Sequence, residues 1–170
     1  MAEAPGDEVD GVVEAWRRER PDLGVESMAV WSRIHRLSAV LDGHRKQTFS
    51  ETGLETWEFD VLAALRRAGA PYQLSPGQLV QATHVTSGTM TNRIDRLRTR
   101  GLVTRTSHPS DRRVAVVTLT DEGRAAVDAA LTGLLDLERA LLGSLDPTER
   151  HHLAGLLRKL SLGSRNQEDQ

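Results

Sequence analysis

Between residues 75 and 119 the chain sets two short, well-marked helices directly before a β-branched hairpin, and that order leaves few folds open. Ser75-Pro76-Gly77-Gln78 is a capping box with proline at the first helical position, which predicts a helix over 76–82. After a turn at Thr83-His84-Val85, Thr86 or Ser87 caps a second helix that runs to about residue 100 and stops at Gly101. Residues 102–105 and 114–119 read as strands, the second rich in Val114, Val116, Val117 and Thr118, joined by the polar link 106–113. Two helices across a short turn form a helix-turn-helix, and a hairpin immediately behind them is its wing.

The flanks are helical. Residues 9–20 form a short helix stopped by Pro21, because proline disfavours the helical region for the residue before it. A helix over 26–49 carries Met28, Trp31, Ile34, Leu37, Val40 and Leu41 at three- and four-residue steps, and one over 55–68 carries Trp57, Val61, Leu62 and Leu65. Thr120-Asp121-Glu122 opens a long helix to about residue 144, which holds more leucines than one face needs. Asp146-Pro147-Thr148-Glu149 opens a last helix, and residues 164–170 read as a frayed tail. The expected fold is mainly α with a small β-hairpin wing. Residues 1–25 are an added N-terminal helix and linker, 55–119 the winged lobe, and 26–54 with 120–163 a helical dimerisation region. The leucine surplus points to an intertwined dimer, with a larger monomeric bundle as the alternative.

Composition narrows the chemistry. At 170 residues the chain is about one domain long, and it has no cysteine. That removes disulfides, Cys-ligated zinc, iron–sulfur centres and thiol catalysis. Charged residues interrupt every apolar stretch, so no run approaches the roughly 18–20 residues of a membrane span, and the acidic N-terminus lacks the order of a secretory signal. The expected location is cytoplasmic, on the nucleoid. Net charge is −2, yet residues 86–113 hold seven arginines against two aspartates, while residues 1–26 hold eight acids against three arginines. A compact basic segment in a mildly acidic chain is the footprint of an anion or phosphate site, although arginine richness also follows from a GC-rich genome.

The second helix of the pair carries Thr86, Ser87, Thr89, Thr91 and Asn92 in its N-terminal half, with Arg93 and Arg96 behind. Short hydroxyl and amide groups reach base edges and phosphates from a helix laid in the major groove. An ordinary solvated helix accounts for the capping hydroxyl but poorly for the cluster, since these residues are weak helix formers. On the wing, Arg112 and Arg113 stand beside Asp111, placed to enter a narrow minor groove or to form a surface ion pair. Residues expected at DNA are therefore Thr86, Ser87, Thr89, Thr91, Asn92, Arg96, Arg112 and Arg113.

These stretches closely resemble the MarR family of winged helix regulators over nearly the whole chain. The resemblance is carried by Leu74-Ser75-Pro76-Gly77-Gln78-Leu79, by Thr86 through Leu97, by Arg100-Gly101-Leu102-Val103, by Pro109-Ser110-Asp111-Arg112-Arg113 and by Leu119-Thr120-Asp121-Glu122-Gly123. It implies a homodimer on palindromic operator DNA, usually repressing, and released by a small phenolic or anionic ligand. A narrower resemblance is to the family's urate-responsive branch, which has an added N-terminal helix. That branch's ligand set maps here onto Trp16, Asp60, Arg93 and Arg105. Urate is a planar monoanion: a tryptophan can wall it, Arg93 can pair with its anionic edge, and Asp60 can accept its ring N–H or repel its charge. Each residue also has a plainer reading, Trp16 as a staple for the extra helix, Asp60–Arg93 as a structural ion pair and Arg105 as a phosphate contact. A polycarboxylate such as citrate or aconitate suits the same arginines.

An enzyme lacks its parts here: there is no glycine-rich phosphate loop and no defensible nucleophile–base arrangement. No cofactor is implied, and the dispersed histidines, with neighbours His151 and His152 pointing apart, offer no metal site. A helical interaction protein that never touches DNA remains the other class, and it predicts no salt-dependent DNA affinity.

Overall fold

A computed structural model of the chain describes residues 6–107 and 115–168, with the side chains of 165–168 outside the description. It divides into two compact units, Met1–Gln47 and Thr48–Gln170. The helix α2 (Met28–Glu51) contributes residues to both.

In the first unit, α1 (Glu8–Glu19) starts at Asp7, whose carboxylate accepts the N–H groups of Val9 and Asp10, while Asp10 accepts the N–H of Asp7 at 2.8 Å. This reciprocal cap goes beyond the sequence expectations. Val9 and Val13, one helical turn apart, are buried against Val25, with Met28 and Ala29 beside them. Arg33 of α2 then clamps the start of α1, bonding Asp7 at 2.8 Å and Asp10 at 2.7 Å, and Arg36 pairs with Glu8. Trp16 is 47% exposed in the single chain, while Val9 and Val13 with the arginine clamp hold the added helix. The helical reading of α2 is correct, but Trp31, Leu37 and Val40 on its apolar stripe stay exposed in the single chain.

In the second unit the order is α3 (Thr56–Arg67), β1 (Gln73–Leu74), α4 (Pro76–Thr83), α5 (Ser87–Thr99), β2 (Val103–Ser107), β3 (Ala115–Leu119), α6 (Asp121–Leu141) and α7 (Pro147–Glu168). The strands form an antiparallel sheet in the order β1-β3-β2, with Gln73 opposite Thr118 and Val103 opposite Leu119. The hairpin is as expected, except that β2 continues through Thr106 and Ser107, assigned by sequence to the link, because they pair with Val116 and Ala115. The two-residue β1 is an addition, because a strand that short has no periodicity to read. The predicted capping box is present, Ser75 Oγ accepting the N–H of Gln78 at 3.2 Å and Gln78 accepting that of Ser75 at 2.8 Å. Phe49, Leu62, Leu65, Leu79, Met90 and Leu97 are completely buried in the core beneath α4 and α5, where the rings of Phe49 and Phe59 stack at 4.2 Å. Arg66 of α3 bonds Asp128 of α6 at 2.8 Å.

Two glycines matter to this framework. Gly101, at φ 71°, takes the left-handed position that ends α5, letting the N–H of Leu102 reach the carbonyl of Leu97 at 3.0 Å. That turn also delays β2 to Val103, one residue later than the sequence suggested. Gly123 in the first turn of α6 faces the Leu102 carbonyl so closely that an added Cβ would lie 2.0 Å from its oxygen. Thr120 caps α6, accepting the N–H of Gly123 and donating to the Gly101 carbonyl at 2.8 Å.

The C-terminal boundary is corrected as well. The expected tail at 164–170 is helical through Glu168, since residues 164–168 contain neither proline nor glycine to stop α7. Among the described residues, no helix is long and apolar enough to cross a membrane.

Candidate nucleic-acid interface

The helix α5 buries Met90, Ile94 and Leu97, at steps of four and three, and thereby turns its other faces outward. Ser87, Thr89, Thr91, Asn92 and Arg96 are all exposed, as is Thr86. Thr86 is the cap, accepting the N–H of Thr89 at 3.3 Å, and its hydroxyl meets that of Thr89 at 2.9 Å. Thr91 donates back to the Ser87 carbonyl at 3.1 Å. The predicted residues of this helix therefore occupy its solvent side, Thr89, Asn92 and Arg96 on one flank and Ser87 and Thr91 on the other.

The arginines behind them are held by the N-terminal turn of α3, a partnership that the sequence pattern alone does not suggest. The Trp57 ring has the Arg96 guanidinium 4.7 Å and the Arg93 guanidinium 5.5 Å from its centroid, both within cation–π range. Glu55 accepts the Trp57 indole N–H at 2.7 Å and the Arg96 guanidinium at 2.8 Å. The indole hydrogen bond foremost, and then the charge of Arg96, hold the Glu55 carboxyl below the usual carboxylate range against some desolvation. Farther along, Arg100 pairs with the fully buried Glu58 and donates to the Gly53 carbonyl at 2.8 Å. Arg93, Arg96 and Arg100 stand at i, i+3 and i+7, so they fall on one side of α5. Glu55, Trp57, Thr89, Asn92, Arg93 and Arg96 line an open cleft of about 540 Å³.

The residues expected at an effector lie on four different elements. Arg93 forms no ion pair among the described residues. Its guanidinium lies over Trp57 instead, whose ring stands one turn before Asp60 on α3. Asp60 is half-buried. Arg105 is exposed on β2, opposite Val117. Trp16 belongs to the other unit. Arg112 and Arg113 lie outside the described residues.

Comparison with known proteins agrees with this architecture. The MarR family model matches residues 52–114. The HTH-type transcriptional regulator PecS of Dickeya dadantii is 41% identical over 150 residues, covering 88% of this chain and 90% of that protein. A structure addressing regulation of DNA binding of Bordetella bronchiseptica BpsR by 6-hydroxynicotinic acid superposes with a TM-score of 0.66 at 33% identity, covering 78% of this chain and 92% of that one. A point mutant of Escherichia coli MarR, solved with operator DNA, gives a TM-score of 0.68 at 28% identity, covering 80% of this chain and 96% of that one. With such identity along nearly the full length of a transcriptional regulator, and with the same winged helical fold, the chain belongs to the MarR family, as a transcriptional regulator and not an enzyme.

Proposed function

We propose that the protein binds palindromic operator DNA as a homodimer, acts as a repressor, and is released by a small anionic ligand, urate in the first instance. The observation that carries the DNA reading is the exposed polar face of α5, where Ser87, Thr89, Thr91, Asn92 and Arg96 stand clear of a core sealed by Met90, Ile94 and Leu97. Thr86 caps the same helix, and Arg112 and Arg113 are assigned to the wing. The solved MarR–operator complex supports a DNA role for this fold.

The dimer reading rests on apolar surface. Leu131 and Leu135 of α6 and Leu153, Leu156 and Leu157 of α7 are all exposed in the single chain, alongside Trp31 and Leu37 of α2. Segments 26–54 and 120–163 are assigned to cover one another across a two-fold axis, which would place two recognition helices about 34 Å apart on a palindrome.

The effector reading takes Trp16, Asp60, Arg93 and Arg105 from the resemblance to the urate-responsive branch. The regulation of BpsR by a planar hydroxylated pyridine carboxylate supports an effector of this general shape. The test is anisotropy of labelled duplex from the protein's own upstream intergenic region, titrated first with protein and then with urate or citrate. Release by urate and not citrate is expected, with Trp16→Phe blunting it. Release by citrate alone would replace urate with a polycarboxylate, and release by neither would remove the assigned pocket. Absence of duplex binding at any salt would return the chain to the helical interaction class.

A further inference from the structure

We infer that Glu55 is a built-in competitor for Arg96, an internal carboxylate that operator phosphate must displace before this arginine adds to DNA affinity. The inference rests on the DNA-binding reading above and concerns how that binding is restrained.

Four observations bear on it. The Glu55–Arg96 pair is solvent-facing, with side chains 58% and 55% exposed, and ion pairs of that kind contribute little to folding. Glu55 also occupies the N-cap position of α3, where a short Ser, Thr, Asp or Asn is the usual choice. Its carboxylate gives one oxygen to the Trp57 indole N–H and the other to the Arg96 guanidinium. Trp57 completes the holder, since its N–H fixes the carboxylate while its ring face supports the same guanidinium. Lastly, Arg93 lies on that ring and Arg100 pairs with Glu58, so of the three arginines Arg96 is the one that Glu55 hydrogen-bonds directly.

The arrangement has a thermodynamic consequence. A phosphate entering the cleft beside Thr89 and Asn92 meets Arg96 already neutralised. Once displaced, the Glu55 carboxylate sits beside the DNA backbone and retains a cation, cancelling the one that Arg96 releases from the duplex. Abolishing the Glu55 charge should therefore both tighten binding and steepen its salt dependence. Glu55→Gln does this with little change of shape and keeps an acceptor for the indole N–H.

The experiment uses the full-length chain and duplexes it enriches from a random pool, with affinity measured across a salt series. Glu55→Gln is expected to bind roughly two- to fivefold tighter, the value of one surface pair, with the log–log salt slope steeper by about 0.9. Trp57→Phe, which removes the N–H but keeps an aromatic face, should move both in the same direction by less. In an Arg96→Ala background, Glu55→Gln should change neither. Equal or weaker binding by Glu55→Gln would overturn the inference, as would a gain that persists without Arg96, since Glu55 would then act only through the general field. If the unmodified chain enriches no duplex, the DNA-binding reading itself fails and the inference falls with it.

Discussion

Glu58 shows how much one side chain can ask of its neighbours. It is completely buried, with one oxygen taking the Glu55 N–H at 2.9 Å and the Arg100 guanidinium, and the other without a hydrogen bond among the described residues. A buried carboxylate stripped of its cation is costly, whereas a neutral amide of the same shape is far less so. Arg100→Ala should therefore destabilise the fold by about 1–3 kcal/mol in urea unfolding, and adding Glu58→Gln should recover part of that loss. The sequence held a clue: Glu58 stands three, four and seven residues before Val61, Leu62 and Leu65, an acid on an apolar stripe. The stripe is legible through its hydrophobic members, and the buried acid's arginine partner, 42 residues away, leaves no local trace. Arg93, Arg96 and Arg100 are each legible as cations, but the Trp57 ring that gathers the first two reads in the sequence simply as part of the core.

Among elements, α1 is fastened mainly by charge at its start and by two valines along its length. Hydrogen bonds from Arg33 hold the carboxyls of both Asp7 and Asp10 below their ordinary value of 3.8, against some desolvation. A carboxyl whose pKa is depressed in the folded state adds stability that is fully present above its unfolded pKa and is lost as pH falls through the folded one. Amide-exchange protection of α1 should therefore hold from neutral pH down to about pH 4 and decline below it. Arg33→Ala should lower that protection at neutral pH while leaving residues 48–168 intact. Helix existence was legible throughout because apolar spacing and caps are local signals. The Thr86 cap, left open between two hydroxyls, is decided by its bond to Thr89. What escaped were features set by partners distant in sequence: β1 exists only because β3 passes beside it, and the Asp7 cap is completed by Arg33 across 26 residues.

At the scale of the whole molecule, exposed leucine is the dominant unfinished feature. Leu156, on α7, is 67% exposed, with Leu153 and Leu157 beside it. Burying such side chains is worth about 1.5–3 kcal/mol each, so a partner surface has much to gain. Leu156→Glu with Leu157→Glu is expected to sediment as a monomer and to lose cooperative duplex binding while retaining its helical content. An unchanged dimer would move the interface away from α7. The leucine surplus was legible in the sequence, but an excess of apolar area states how much must be covered and not by what. Gly123, where α6 starts against the turn that ends α5, carries a last consequence. Every substitution there drives a side chain into the Leu102 carbonyl. A survey scoring variants only by loss of repression would rank this position among the most sensitive, beside the arginines of α5, and its apparent importance would report the assembly of the winged lobe and not the reading of an operator.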